Sequence, residues 1–85
     1  MAYIPVEPLF TKGDYIINRT CGDMAIVNSV DKKNYYHFKA YYNKMFNMLN
    51  DPKNYTLQVD YQKFFERCTD EEIKEMDKLI KELKD

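Results

Sequence analysis

The run YYHFKAYY, Tyr35 to Tyr42, constrains this chain more than any other stretch. Successive side chains of a strand point to opposite faces, so the run divides into two sets. Tyr36, Phe38, Ala40 and Tyr42 form an apolar set that belongs to a core. Tyr35, His37, Lys39 and Tyr41 form the other. A small barrel buries one face of a strand, so the second set is expected to form one outward, half-wet stripe of aromatic rings interleaved with cations.

The stretch before it reads as strand, turn and strand. Gly13-Asp14 precedes the β-rich run Tyr15-Ile16-Ile17-Asn18. "RTCGD" then supplies turn chemistry before Met24 to Val30, and "DKKN" makes a second polar turn. Downstream, Met45 to Leu49 is ambiguous between strand and helical turn, and "NDPKN" ends it. Tyr55, Leu57 and Val59 alternate with polar residues and predict a further strand, after which "YQKFFERC" leads into a helix.

That helix is the least ambiguous element. Thr69 and Glu72 have capping-box spacing, with Cys68 and Ile73 at the staple positions. Ile73, Met76, Leu79, Ile80 and Leu83 recur on one face, while Asp70 with Lys74 and Asp77 with Lys81 are spaced for pairing on the polar side. The acids Asp70, Glu71 and Glu72 suit the positive end of the helix dipole.

At the other end, Pro5 and Pro8 hold residues 1–9 as an extended arm. Tyr3, Ile4, Val6 and Leu9 either pack this arm onto its own domain or strap it onto another subunit. The whole reads as α+β: a small SH3-like or OB-like antiparallel β-barrel of about five strands. The arm spans 1–9, the barrel 10–68, and the amphipathic C-terminal helix 69–85.

Composition narrows the function. The chain has 85 residues, enough for one domain with a thin core, and its net charge of -1 provides no global field for nucleic acid or anionic membrane. Aromatic residues are 15% of the total, which suits a β core and an interface alike. There is no run of apolar residues long enough to span a bilayer and no secretory signal, so a soluble, non-secreted protein with reduced thiols is expected. Cys21, His37 and Cys68 lack metal-ligand spacing, and Gly13 and Gly22 are turn glycines, not a phosphate cradle. No catalytic residue, metal or cofactor is assigned, and an enzyme is not expected.

Two uses remain for the stripe. With Lys32, Lys33 and Lys44 nearby it could stack single-stranded nucleic acid, although the acids of the C-terminal segment oppose this. A surface rich in tyrosine also suits a protein interface.

Gly13-Asp14, Ala25-Ile26-Val27, Tyr35 to Phe38 and Arg67 to Glu72 together resemble small SH3-like barrel proteins of gut bacteria and their crAss-like tailed phages. The opening "FTKGDYIINRTCGDMAIV" is also similar to the polymerase-interacting domain of CarD-type regulators. The first resemblance implies an auxiliary, decorating capsid protein or another minor virion protein. It would be bound in many copies to a larger capsid or ring protein through the arm (Tyr3, Ile4, Val6, Leu9) and the stripe (Tyr35, His37, Lys39, Tyr41). The second implies a regulator of host RNA polymerase; a small inhibitor of a host defence protein is a further alternative.

Overall fold

In the computed structural model, which describes residues 6–84, the two turn-bounded runs become β1 (Tyr15–Asn18) and β2 (Met24–Val30). The alternating run becomes β3 (Tyr35–Asn43). Three short strands follow: β4 (Met48–Asn50), β5 (Thr56–Gln58) and β6 (Phe65–Arg67). A 3-10 turn, Pro52–Asn54, separates β4 from β5, a longer 3-10 segment, Val59–Phe64, separates β5 from β6, and α1 (Asp70–Leu83) closes the order.

The strands form one antiparallel sheet in the order β4-β3-β2-β1-β6, with β5 paired to β3. The sheet is open and has six strands, where a barrel of about five was expected. The strand missed in the sequence is β6, which pairs with β1 through Ile16↔Arg67, Ile17↔Glu66 and Asn18↔Phe65. The far edge of β3 is shared: its first half pairs with β5 and its last residues with β4.

The turns are held as their residue types dictate. Asp31 Oδ1 accepts from the backbone N–H groups of Lys33 and Tyr35, and Asn34 takes the left-handed conformation at φ 67°. At Gly22 a positive φ of 84° coincides with close packing, because the Lys44 Cδ lies 2.4 Å from where a Cβ would stand. Any side chain there would have to displace Lys44 as well as strain the backbone.

Both faces of the sheet are covered at its centre, so Met24, Ala25, Ile26 and Val27 are buried in succession. One core joins Phe10, Ile16, Ala25, Val27, Tyr36, Phe38 and Val59. The other joins Ile17, Met24, Ile26, Tyr42 and Met76, with Leu79, Ile80 and Leu83 of α1 packed against it. Each fully buried side chain such as Ile16 or Met76 contributes roughly 1.5–3 kcal/mol.

The division between the two cores runs through β3 itself. Ile26 pairs with Ala40 but Val27 pairs with Phe38, so Lys39 is the extra residue of a bulge; Asn28 is the extra residue on β2, between Val27 and Ser29. A bulge breaks the two-residue period. Tyr36 and Phe38 therefore enter the first core, while Ala40 and Tyr42 enter the second beneath α1. All four apolar residues face packed interior, as their pattern predicts, but they do not share a face.

The helix begins as its sequence specifies. Thr69 Oγ1 accepts from the Glu72 N–H at 3.2 Å, and Glu72 Oε1 accepts from the Thr69 N–H at 2.8 Å. Two contacts clamp α1 to the sheet: Arg19 binds both Glu66 of β6 and Glu72, and the Tyr15 hydroxyl donates to Asp77 at 2.5 Å. Asp77 is thus taken by Tyr15, and among the described residues the i,i+4 ion pair along α1 is Lys78 with Glu82 at 3.9 Å.

The described part of the arm is fixed by its main chain. Gln62, which is buried, accepts from the Leu9 N–H at 2.8 Å and donates to the Glu7 carbonyl at 2.8 Å. The Tyr36 hydroxyl donates to Gln62 Oε1 and accepts from the Leu9 and Phe10 N–H groups. Asn34 Nδ2 donates to the Val6 carbonyl, and Arg67 donates to the Leu9 carbonyl. The arm therefore docks on its own domain, but through peptide groups, leaving the side chains of Val6 and Leu9 exposed. Tyr3 and Ile4 lie outside the described residues.

Candidate interaction surface

The Lys39 bulge also divides the expected stripe, because alternation restarts beyond it. Tyr35 and His37 alternate with the first-core residues Tyr36 and Phe38, so they project on the opposite side of the sheet from these. Tyr41 packs on the first core, on the other side. Tyr35, His37, Lys39 and Tyr41 are consequently not one face, which corrects the expectation from period two.

Their groups are also engaged locally. His37 Nε2 lies 2.7 Å from Asp31 Oδ2, and this contact is the main cause holding the Asp31 carboxyl below its ordinary pKa. Tyr35 accepts from Gln58 Nε2 at 2.7 Å. The Tyr41 ring stacks on Tyr55 at 4.8 Å between centroids, and its hydroxyl donates to Asp23 at 2.8 Å. Burial, followed by the Asp23 bond, pushes its pKa above the ordinary tyrosine value. A ring already stacked and half-buried offers little to an incoming base.

The outermost apolar groups lie elsewhere. The β3–β4 hairpin presents Met45 at 84% exposure, Phe46 at 68% and Met48 at 48%. This tip is shaped by its own polar residues. Asn43 Oδ1 accepts from the Phe46 N–H at 3.2 Å, and the Asn47 N–H donates to the Lys44 carbonyl at 3.2 Å. Asn47 sits at φ 49°, and its Oδ1 accepts from the Tyr42 hydroxyl at 2.7 Å, tying the tip to a core residue. Asp23 Oδ1 accepts from the Lys44 N–H at 3.0 Å and holds the hairpin base against the β1–β2 turn.

A second apolar exposure runs along the 3-10 segment. A 3-10 helix eclipses residues three apart, so Tyr61 and Phe64 fall on one side while Val59 and Gln62 turn inward. The two rings stack at 6.2 Å, with the Lys63 ammonium 5.4 Å from the Phe64 ring centroid. The Leu9 N–H is held to the inward side of this segment through Gln62.

Sequence reasoning missed both features. Its one available signal was an apolar cluster, Met45-Phe46 with Met48-Leu49, in a stretch too short to span a buried layer and bounded by asparagines.

No family model, curated protein or solved structure matches this chain.

Chemistry-bearing groups are dispersed among the described residues, which contain no cluster of His, Cys, Asp and Glu able to hold a metal. Burial and then the Glu72 charge push the Cys68 thiol up to about 11, so it is a weak nucleophile at neutral pH. No helix among the described residues is long and apolar enough to cross a membrane.

Proposed function

We propose that this chain is a non-enzymatic protein-interaction domain, and most concretely an auxiliary virion protein of a tailed phage that attaches in multiple copies to a larger shell or ring protein. The observation that carries the interaction reading is the hairpin tip. Exposing Met45, Phe46 and Met48 together costs solvation free energy, and their fixed turn reduces the entropy lost on docking. The virion assignment is the context implied by the motif resemblance, and repeated weak contacts on a lattice would sum to firm attachment. In this reading the sheet is a variant of the SH3-like barrel, in which β6 returns to β1 after a 3-10 segment. Val6 and Leu9 on the arm, and separately the Tyr61–Phe64 pair, are further exposed apolar groups that a partner could cover.

The test is particle association of the Met45→Ser/Phe46→Ser variant on density gradients of native lysate. Wild-type protein should sediment with particles in a fixed ratio to the shell protein. Loss of a docked aromatic anchor costs about 2 kcal/mol or more, so the variant should move largely to the free fraction. Its thermal midpoint should be unchanged, since both side chains are exposed. Wild-type protein found only in free fractions would overturn the virion assignment, and equal association of the variant would overturn the role of the tip.

A further inference from the structure

We propose that the cleft between β3, β4 and α1 receives a peptide segment of the partner in which a carboxylate side chain stands beside a large apolar one. This rests on reading the chain as an interaction domain and names the chemistry of its partner. The cleft holds about 380 Å³, at the lower end of the range for specific ligand sites and suited to a short segment. Ile26, Ala40, Leu49 and Ile80 line it with apolar surface, while Lys39 and Lys84 stand at it as cations.

The bulge brings two consecutive residues, Lys39 and Ala40, to the cleft. Alternation from Tyr35 and His37 already places Lys39 on this side of the sheet; what the bulge adds is Ala40, turned from the first-core side to the cleft beside it. Lys84 arrives from the opposite wall, at the C-cap of α1. Neither has an ion-pair partner among the described residues. The acid of the cleft, Asp77, is held by the Tyr15 hydroxyl at 2.5 Å and forms no ion pair with either lysine. That bond is the main cause pushing the Tyr15 pKa up to about 12, so the tyrosine keeps its proton and its hold on Asp77. An apolar hollow flanked by two unpaired ammonium groups is complementary to an acidic, apolar segment, and a neutral one would leave both cations to water alone. Leu49 belongs to the same hairpin as the exposed tip, so one partner could cover cleft and tip together.

The experiment uses the full chain, 15N-labelled, titrated with the probe acetyl-Leu-Phe-Asp-Leu-amide and with versions carrying Asn or Lys in place of Asp. The acidic probe should shift the amides of Ile26, Ala40, Leu49 and Ile80, and the Asn probe should bind about threefold to tenfold more weakly. The Lys39→Glu/Lys84→Glu variant, altered only at exposed positions, should reverse the preference and favour the Lys probe. A general packing role for the lysines would not reverse it. Shifts absent from these residues, or equal affinity for the Asp and Asn probes, would overturn the proposal. Shifts confined to Met45–Met48 would overturn it while leaving the tip as the interaction site. Octanoate shifting the cleft amides where the peptides are silent would replace a peptide by a lipid.

Discussion

Replacing Gln62 by alanine should destabilise the domain by about 3 kcal/mol, because one buried side chain anchors the arm. Its Oε1 accepts from the Leu9 N–H and from the Tyr36 hydroxyl, and its Nε2 donates to the Glu7 carbonyl. Each such bond is worth about 0.5–1.5 kcal/mol net, and a buried donor left without an acceptor costs about 1–3 kcal/mol. Leu9 N–H keeps a second acceptor in the Tyr36 hydroxyl at 3.1 Å, which offsets part of the loss. The Tyr36 hydroxyl, on a residue with 0% exposure, is the group left without its acceptor. With a urea slope of about 1 kcal/mol per molar, the unfolding midpoint should fall by about 3 M. Native-state hydrogen exchange should show the Leu9 and Phe10 amides opening more readily, since both are held by this network. Tyr36→Phe alone should cost about 1–3 kcal/mol by stripping the Phe10 N–H of its acceptor. Combined with Gln62→Leu it should cost less than the sum of the two single changes, because donor and acceptor then leave together. A Gln62→Ala midpoint within about 0.5 M of wild type would refute the reasoning and show that the arm contributes no stability through these bonds.

Acid should loosen the junction of α1 with the sheet. Arg19 first, and then the Thr69 backbone N–H, hold the Glu72 carboxyl down to about 2, below its ordinary 4.5. A lowered folded-state pKa gives stability that is in place above pH 4.5 and is lost as pH falls toward 2. Glu72→Gln keeps capping-box geometry but loses the charge, so thermal melts should separate the two proteins at pH 6 and bring them together near pH 2. A separation independent of pH would dissociate the stability of α1 from this carboxylate. Deleting Lys39 should leave a folded protein, because removing the extra residue of the bulge restores alternation while Tyr36, Phe38, Ala40 and Tyr42 keep their faces. Deleting His37 should abolish folding, since it turns Tyr36 out of the core; circular dichroism melts of the two deletions distinguish the outcomes.

Much of the architecture is legible because it is set by local chemistry. The first two strands fall between turn residues that also satisfy the turns in the structure, and α1 starts at the capping box that its spacing announces. The strand β6 was not legible for the opposite reason. Phe65-Glu66-Arg67 has no alternation worth reading, and its extended state comes from pairing with β1, a partner far away in sequence. The tip escaped for a third reason: a pattern of apolar residues predicts burial, and Met45 and Phe46 are apolar residues that this fold leaves in water.

The bulge at Lys39 connects these matters to function. Period-two reasoning assumes that one side of a strand meets one core, and it assigned every other residue of the Tyr35–Tyr42 run to a common wet face. With an extra residue in the middle, the same strand serves a core on each side of the sheet, which is how so short a chain covers both faces of its central strands. The cost falls on the stripe, since Tyr41 is drawn into packing and stacking. What remains at this end of the sheet is a cleft bordered by Lys39 and an exposed apolar hairpin tip. An interaction surface on this domain is therefore to be sought at the β3–β4 end of the sheet, where the alternation fails, rather than along the strand where it holds.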